Sequence, residues 1–201
     1  NPSWLLSKNG DEIIIGIVAD GDGDIVIDTD KISKIGSGAF TGQPVTSVTF
    51  TGGGNIEIDD YAFMGCYYLT KVILPATDGQ AVIGDYAFAQ VGRKIVNNTI
   101  TYNENGFTVE NLDKVNVIGD YAFSNSNLSE AVLGDGLVAG EGAFYSSQVG
   151  KVTLGKASSY GLGAFQACKK LETVKLPDGS KMSDDEKITL GQAMFANCDK
   201  L

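Results

Sequence analysis

A short phrase that ends in Phe recurs seven times along this chain of 201 residues. Most copies follow the order apolar residue, Gly, two variable residues, Ala and Phe. The closing residues are Phe40, Phe63, Phe88, Phe123, Phe144, Phe165 and Phe195. Successive copies lie 23, 25, 35, 21, 21 and 30 positions apart, a period at which one unit is too short to bury its own apolar face and has to stack on its neighbours. The phrase therefore predicts one continuous solenoid over residues 35–201, preceded by an N-terminal cap with hairpin strands over residues 1–34.

Each residue of the phrase has an expected place in a coil. The Gly is expected to make a turn, and the Ala and Phe to enter the core. A fully buried Phe contributes roughly 2–3 kcal/mol through its buried area, so the seven rings are predicted to stack as the spine of the molecule. Asp59 replaces the Gly in one copy, and Met194 replaces the Ala in the last copy. The terminal unit is thus the least regular, as expected near the end of an array.

A second phrase, Leu-x-x-Val-x-Leu, follows the first in most units. The clearest copy is Leu69, Val72 and Leu74, and Pro75 ends it. Apolar residues two apart point to the same side of a β-strand, so this phrase predicts one short strand per coil, stacked into a parallel sheet. The other copies are Val45/Val48/Phe50, Leu128/Ala131/Leu133, Val149/Val152/Leu154 and Leu171/Val174/Leu176.

Two stretches depart from the repeat. The unit that contains residues 89–117 is swollen, and both 95–100 and 112–117 are eligible as its strand. Periodicity alone leaves its register open. A polar insert at residues 178–187 is predicted to lengthen a loop.

The order of turn Gly, Ala-Phe, Cys and Leu-x-x-Val-x-Leu-Pro resembles the BspA-like (Treponema-type) leucine-rich repeats of bacterial surface proteins. The resemblance covers about residues 25–201. It implies a β-rich solenoid, a right-handed leucine-rich-repeat coil with stacked short parallel strands and about seven repeats. It also implies a secreted or cell-surface protein that binds host or matrix proteins, but it carries no shared set of binding residues.

Charge and hydropathy exclude two classes of partner. The formal net charge is −10 and the pI is about 4.4, so most of the surface would repel a phosphate backbone and nucleic acid is not expected. The longest apolar run, residues 13–19, is too short to span a membrane and is predicted to be a buried strand. The chain starts without a signal-peptide pattern and stops partway through a repeat, so we expect both ends to be boundaries within a longer protein.

The residue types present argue against catalysis. The chain has no His, which excludes a Ser-His-Asp or Cys-His nucleophile, a His-ligated zinc and a His general base. The carboxylate pairs Asp59-Asp60 and Asp184-Asp185 are adjacent in turns, where solvated charge is the ordinary explanation. No Gly-rich phosphate loop of the Rossmann or Walker type occurs. We therefore expect no enzyme activity, no cofactor and no metal.

The run from Asp20 to Asp24 raises the question of calcium. Aligned on an EF-hand loop, it puts Ile25 where the sharp-turn Gly belongs and Lys31 where the bidentate Glu belongs. A Gly/Asp turn of a β-hairpin between residues 13–15 and 25–27 explains the same residues and is favoured.

The three cysteines share one slot, three residues after a repeat Phe. Cys66 lies too many coils from Cys168 for a disulfide, whereas Cys168 and Cys198 are predicted neighbours. Parallel side chains held at the strand spacing of roughly 4.8 Å are wider apart at Cβ than a relaxed bridge prefers. Buried free thiols are therefore predicted, and the redox compartment stays open.

Two rows of equivalent positions are candidates for partner binding. Tyr residues two positions before the Phe of consecutive units are expected to stack in a row, which can bind a partner or merely cover the core edge. These are Tyr61, Tyr86 and Tyr121. The outward strand face carries the second row, which is equally consistent with an ordinary solvated sheet. It comprises Lys71, Lys151 and Lys175, with Thr49 and Thr153.

The resulting functional hypothesis is a non-enzymatic binding module at the bacterial cell surface or outside the cell. It would recognise a host or matrix protein, or a glycan, through an extended repeat face. Rows that repeat at roughly 4.8 Å suit an extended macromolecule better than a small molecule. The alternative is a structural spacer that displays another domain of a larger surface protein.

Overall fold

A computed structural model describes residues 3–6, 13–18, 23–77 and 81–201. It is a solenoid of short β-strands. In chain order these are β1 (Ser3–Leu6), β2 (Ile13–Val18), β3 (Asp24–Asp28), β4 (Lys34–Ile35), β5 (Ser47–Thr51), β6 (Ile56–Ile58), β7 (Lys71–Ile73), β8 (Ala81–Ile83), β9 (Arg93–Val96), β10 (Thr99–Tyr102), β11 (Thr108–Glu110), β12 (Val117–Ile118), β13 (Glu130–Val132), β14 (Val138–Ala139), β15 (Lys151–Thr153), β16 (Ser159–Tyr160), β17 (Thr173–Lys175) and β18 (Thr189–Leu190).

A regular coil contributes one strand to each of two sheets. The first sheet has the order β1-β2-β4-β6-β8-β12-β14-β16-β18, and all its pairs are parallel except β1 with β2. The second sheet is split into a four-stranded part, β11-β7-β5-β3, and a three-stranded part, β13-β15-β17. A parallel bridge between Phe107 and Leu128 connects the two parts.

The second sheet is the one that the Leu-x-x-Val-x-Leu phrase predicts. Val48 and Val72 are buried and face each other in register, as do Ala131 and Val152. The sequence predicted only one strand per coil, so the strands of the first sheet were not predicted. Its strands end at the apolar residue of the Phe phrase, for example at Ile83, and they span only two or three residues in the repeat coils.

The Phe spine is confirmed. Adjacent rings of the column are stacked, with centroids 4.8, 5.2, 5.3, 5.2, 4.7 and 5.8 Å apart from Phe40 to Phe195. The first six rings are fully buried, and Phe195 in the last coil is partly exposed. The Ala before each of the first six rings is buried as well.

Glycine in the Phe phrase serves close packing rather than the turn that was predicted for it. A Cβ on Gly119 would lie 2.6 Å from the carbonyl carbon of Gly84 and 2.7 Å from the amide nitrogen of Asp85 in the preceding coil. Only a residue without a side chain permits that approach. The left-handed backbone conformation occurs two residues later, at the position that Tyr86 and Tyr121 occupy, where φ is +55° in both.

Neither predicted alternative for the swollen unit is correct. Its strand in the second sheet is β11, which lies between the two candidate stretches. The first candidate, 95–100, belongs instead to an antiparallel hairpin of β9 and β10. The second, 112–117, contains a short 3-10 helix at Leu112–Lys114 and reaches the start of β12. The polar insert 178–187 does lengthen a loop, which contains 3-10 helices at Gly179–Lys181 and Asp184–Glu186.

The hairpin predicted around the Asp run is wrong. β2 pairs with β1 and β4 in the first sheet, whereas β3 pairs with β5 in the second, so these two strands are not partners. Asp20 to Asp22 lie outside the described residues. The carboxylate of Asp24 accepts hydrogen bonds from the hydroxyls of Thr46 and Ser47, each 2.7 Å. The cap boundary at residue 34 stays a prediction.

The cysteines are free thiols that connect neighbouring coils. Cys66 and Cys168 are buried, and Cys198 is partly exposed. The thiol of Cys66 donates to the carbonyl oxygen of Phe40 at 3.1 Å, and that of Cys168 to the carbonyl of Phe144 at 3.1 Å. Burial raises the pKa of the Cys66 thiol to about 12 and that of the Cys168 thiol to about 11. These thiols therefore stay protonated at neutral pH and act as donors, not as nucleophiles.

Candidate binding surface

The three candidate lysines do not form a single row. Lys71 and Lys151 are the first residues of β7 and β15, and Lys175 is the third residue of β17, so they occupy two different outward rows. Lys71 also lies in the other part of the split sheet, where its Nζ is 2.7 Å from Oε1 of Glu110. Thr153 is the register partner of Lys175. The structure thus brings Lys151 and Lys175 onto one sheet and leaves Lys71 on another.

The tyrosine row forms as predicted, but it uses its ring faces internally. The rings of Tyr61 and Tyr86 stack at 5.2 Å, and those of Tyr86 and Tyr121 at 5.3 Å. Both faces of the Tyr86 ring are therefore covered, whereas Tyr61 and Tyr121 each stack within the row through one face. The Tyr121 hydroxyl donates to Oε1 of Glu141 at 2.6 Å, and this bond raises the pKa of Tyr121 to about 12. Whether the row binds a partner stays a prediction.

A ladder of carboxylates joins the coils beside the tyrosine row. Asp60 accepts from the amide of Asp85 at 2.8 Å, Asp85 from the amide of Asp120 at 2.7 Å, and Asp120 from the amide of Glu141 at 2.7 Å. Each carboxylate thus satisfies a backbone donor of the next coil. This region is built for coil-to-coil packing.

The second sheet opens between β11 and β13. At one end the Ser129 amide donates to the Phe107 carbonyl at 3.3 Å. At the other end the backbones of Asp113 and Gly134 approach so closely that a Cβ on Gly134 would clash. Between these two contacts the strands are not paired, and an opening of about 470 Å³ separates them. The split results from the swollen unit, because β11 follows the inserted hairpin instead of a regular turn.

The hairpin of β9 and β10 precedes β11 in the same unit. Its turn is formed by Asn97 and Asn98 in left-handed conformations with φ of 48° and 60°, as two-residue hairpin turns require. The side chains of Ile95 and Ile100, which face each other across the hairpin, are 62% and 51% exposed. A hairpin that leaves apolar residues in solvent adds no core, so it is an elaboration of the surface.

Hydrogen bonds fix the base of the hairpin to the solenoid. The backbone amide of Asn103 donates to the Gly92 carbonyl at 2.8 Å and closes the base. The Asn103 side-chain amide donates to the Tyr67 carbonyl at 2.9 Å, and that of Asn127 donates to the Asn103 carbonyl at 2.8 Å. The Lys94 ammonium lies 4.2 Å from the centre of the Tyr67 ring. The base is therefore held in a defined position against two coils.

A groove of about 610 Å³, which we call the seam groove, lies at the hairpin base. It shares Ser129 and Glu130 with the opening between β11 and β13. Its volume is within the range of about 300–1,000 Å³ that is usual for ligand sites, and it is open to solvent rather than enclosed. The lining is formed by Tyr102, Asn103, Glu104, Gly106, Asn127, Ser129, Glu130, Gln148, Gly150, Lys151, Lys170, Glu172 and Lys200.

Charges in the seam groove are balanced, unlike those of the whole chain. Three lysines and three glutamates line it, whereas the chain carries a net charge of −10. The Lys200 ammonium is 2.8 Å from Oε1 of Glu172, and this hydrogen bond lowers the pKa of the Glu172 carboxyl. Lys151 contributes to the same lowering through its charge.

Of the six residues predicted to bind a partner, only Lys151 lines the seam groove. Sequence reasoning missed Tyr102, Gln148 and the polar residues around them, because they do not recur at equivalent positions of the repeat. The available signal was the spacing of 35 residues between Phe88 and Phe123, which marks the coil that carries the insertion.

Metal ligands are not clustered on the described part of the chain: no group of three or more Cys, Asp or Glu side chains there could hold an ion. Within the same residues, no helix has the length and apolar character needed to cross a bilayer.

Comparison with known proteins identifies the repeat. A family model described as "BspA type Leucine rich repeat region" matches residues 24–116 and 93–201, with six copies. No curated protein matches the chain significantly.

Two solved structures are similar in fold. The leucine-rich repeat protein of T. pallidum is 20% identical, with a TM-score of 0.73 over 100% of this chain and 87% of that one. A leucine-rich cell surface protein from Faecalibacterium prausnitzii A2-165 is 18% identical, with a TM-score of 0.51 over 92% of this chain and 55% of that one.

Proposed function

Because this chain belongs to the BspA-type leucine-rich repeat family, we propose that it is a non-enzymatic binding module that recognises an extended macromolecule at or outside the bacterial cell surface. The ligand contacts the outward face of the three-stranded sheet and the seam groove. The surface location is inferred from the family and from the similar F. prausnitzii structure, which is named a cell surface protein.

The seam groove is the observation that carries this proposal. In repeat proteins, insertions into individual repeats map to loops on one face, which is often the binding face. Here the inserted hairpin of β9 and β10 contributes Tyr102 to the seam groove, and the adjacent sheet is split beside that groove. A structural spacer has no need of such an elaboration, since regular coils already stack without it.

The chemistry of the surface supports binding rather than catalysis. Among the described residues that line the groove there is no His or Cys, so an imidazole base and a thiol nucleophile are absent there, and the Glu172 carboxylate is paired with Lys200. Cys66 and Cys168 are buried with raised pKa values, which keeps them unreactive.

The direct test removes the hairpin and keeps the solenoid. Since Gly92 and Asn103 are already hydrogen-bonded at the base, residues 93–102 can be replaced by Asn-Gly, the dipeptide preferred in two-residue hairpin turns. Wild type and this variant are compared for binding to immobilised extracellular-matrix proteins and to an oligosaccharide array. We expect at least one ligand to bind wild type and to lose most of its affinity for the variant.

Stability serves as the control. The hairpin buries little apolar surface, so the variant should unfold within about 1 kcal/mol of wild type in a urea titration. A folded variant that binds every ligand of wild type with unchanged affinity would contradict the proposed site. A wild-type protein that binds nothing in either panel would favour the spacer instead.

A further inference from the structure

We infer that the ligand of the seam groove is a neutral, hydroxyl-rich glycan, an inference that rests on the proposed binding function and specifies its partner. Three features of the groove point to this ligand chemistry. They are its polar lining, its balanced charge and the single aromatic ring among its described lining residues.

The lining lacks the side chains that anchor proteins. The cores of protein interfaces are enriched in aromatic residues, Met and Arg and depleted of Lys and Glu. The seam groove shows the opposite composition: its described lining contains Lys and Glu side chains and the amides of Asn127 and Gln148, with Tyr102 as the one aromatic residue. Among the residues that the structure describes, no Leu, Ile, Val, Met or Phe lines it. A peptide would find no apolar pocket for an anchor side chain.

A glycan matches this lining group by group. Each sugar hydroxyl can both donate and accept, and Asn and Gln amides offer both kinds of partner, while Glu carboxylates accept and Lys ammonium groups donate. The β13 and β15 strands place Glu130 and Lys151 side by side in register, so an acceptor and a donor lie next to each other at the strand spacing of roughly 4.8 Å. Such a pair suits the neighbouring hydroxyl groups of a sugar chain.

Tyr102 provides an apolar surface beside these polar groups. It is half-buried, and within the described residues no other ring stacks on it. This distinguishes it from Tyr86, whose two faces are covered by Tyr61 and Tyr121. An aromatic face is apolar and carries partial negative charge, so it suits the C–H face of a pyranose.

Electrostatics select a neutral glycan over a polyanionic one. The three lysines of the groove are matched by three glutamates, and Lys200 is already paired with Glu172. The surrounding protein carries a net charge of −10. A sulfated or uronic-acid polymer would therefore be repelled by the field of the whole molecule without a compensating basic patch.

The experiment probes wild type with neutral oligosaccharides of glucose, mannose and N-acetylglucosamine, and with heparin and hyaluronan fragments. Titration calorimetry of the neutral hits then compares Tyr102→Ala and Gln148→Ala with the control Tyr68→Ala. Tyr68 is 55% exposed and lies outside the groove. We expect a neutral oligosaccharide to bind, Tyr102→Ala to weaken its Kd about tenfold through loss of the ring face, and Tyr68→Ala to leave it unchanged.

Other outcomes separate this inference from the proposed function. Binding of heparin alone, binding of no oligosaccharide, or equal effects of Tyr102→Ala and Tyr68→Ala would each overturn the glycan assignment. If matrix proteins bind instead and the hairpin replacement abolishes that binding, the proposed function stands and only the ligand class is wrong. Binding of heparin or hyaluronan fragments more tightly than any neutral oligosaccharide, with a Kd that weakens strongly between about 50 and 500 mM salt, would show a preference for a charged ligand and contradict neutrality.

Discussion

At the scale of single residues, the repeat phrase assigns each position a different physical task. The Phe supplies buried area, the Ala before it leaves room for the backbone, and the Gly four positions before the Phe lets two coils approach. The first two tasks could be predicted because buried apolar residues recur visibly in a sequence. The third could not, since a Gly that serves close approach and a Gly that serves a turn are identical in sequence.

The energetic weight of the spine can be measured at Phe123. Its ring is fully buried and stacks on Phe88 at 5.3 Å and on Phe144 at 5.2 Å, so Phe123→Ala leaves a cavity that two neighbouring coils share. We expect a loss of roughly 3–5 kcal/mol in the free energy of unfolding, measured by urea titration. Two control variants should lower the free energy of unfolding far less. They are Phe195→Ala, at the equivalent position of the last coil where the ring is partly exposed, and Tyr102→Ala. Equal, small losses for all three variants would disprove the spine.

Backbone strain at Tyr86 provides a second test. Its φ is +55°, a conformation that Gly adopts freely and that costs other residues roughly 1–2 kcal/mol. Tyr86→Ala and Tyr86→Gly both remove the stacked ring, but only Ala keeps the strain. After the greater unfolded-state entropy of Gly is included, we expect the Gly variant to be more stable by about 0.5–1 kcal/mol in chemical denaturation.

Val82 is the matched control, because it is partly exposed in the ordinary strand conformation of β8. There the order should reverse, with Val82→Ala more stable than Val82→Gly. The same order at both positions would show that strain does not govern the tyrosine row.

At the scale of elements, the two strands of a coil differ in how far they could be predicted. The strand of the second sheet could be predicted from apolar residues two positions apart between turn residues, such as Val72 and Leu74. The first-sheet strand is only two or three residues long, so it is too short to show a period. In the swollen unit the true strand, β11, contains a single apolar residue, Val109, and two more apolar stretches compete with it. The groove beside it was therefore not predictable either.

Thiol donors that connect one coil to the next predict a specific pH dependence. The pKa of Cys66 is raised to about 12 by burial, from an ordinary value of 9.0. Between these two values the folded protein keeps a proton that the unfolded chain loses, so stability falls as pH rises. Cys66→Ser removes this titration and retains a donor, as Ser126 and Ser147 occupy the same slot in other coils.

Urea titrations in reductant at pH 7 and pH 10.5 measure the effect. We expect Cys66→Ser to cost about 1 kcal/mol at pH 7. Between pH 7 and pH 10.5 the free energy of unfolding should fall by roughly 2 kcal/mol less in the variant than in wild type. The size follows from the 1.5 pH units between pH 10.5 and the ordinary pKa of the thiol. Cys198→Ser, in the same slot but partly exposed, should change the pH dependence less. Identical pH dependence in wild type and both variants would contradict the assigned cause.

At the scale of the whole molecule, each described coil packs on the coils next to it. Backbone amides of the turns donate from one coil to the next, as Phe123 does to Ala143 at 2.7 Å and Phe144 to Ala164 at 2.7 Å. Stability in such an array is a sum of coil terms and interface terms, so the consequences of a local change should fall off with distance along the axis. This arrangement also lets an insertion in one coil create a groove while the other coils stay regular.

Hydrogen exchange followed by mass spectrometry tests this nearest-neighbour coupling. In the 201-residue protein we expect slow exchange in the central coils and fast exchange over residues 189–201, where Leu190 is exposed, Phe195 is partly exposed and one neighbouring coil supports the packing. Phe123→Ala should reduce protection in the coils on both sides of it, whereas Phe195→Ala should affect only the last coil. If both variants lower protection uniformly from β3 to β18, the solenoid unfolds as one unit, and a binding site in one coil would then be coupled to every other coil.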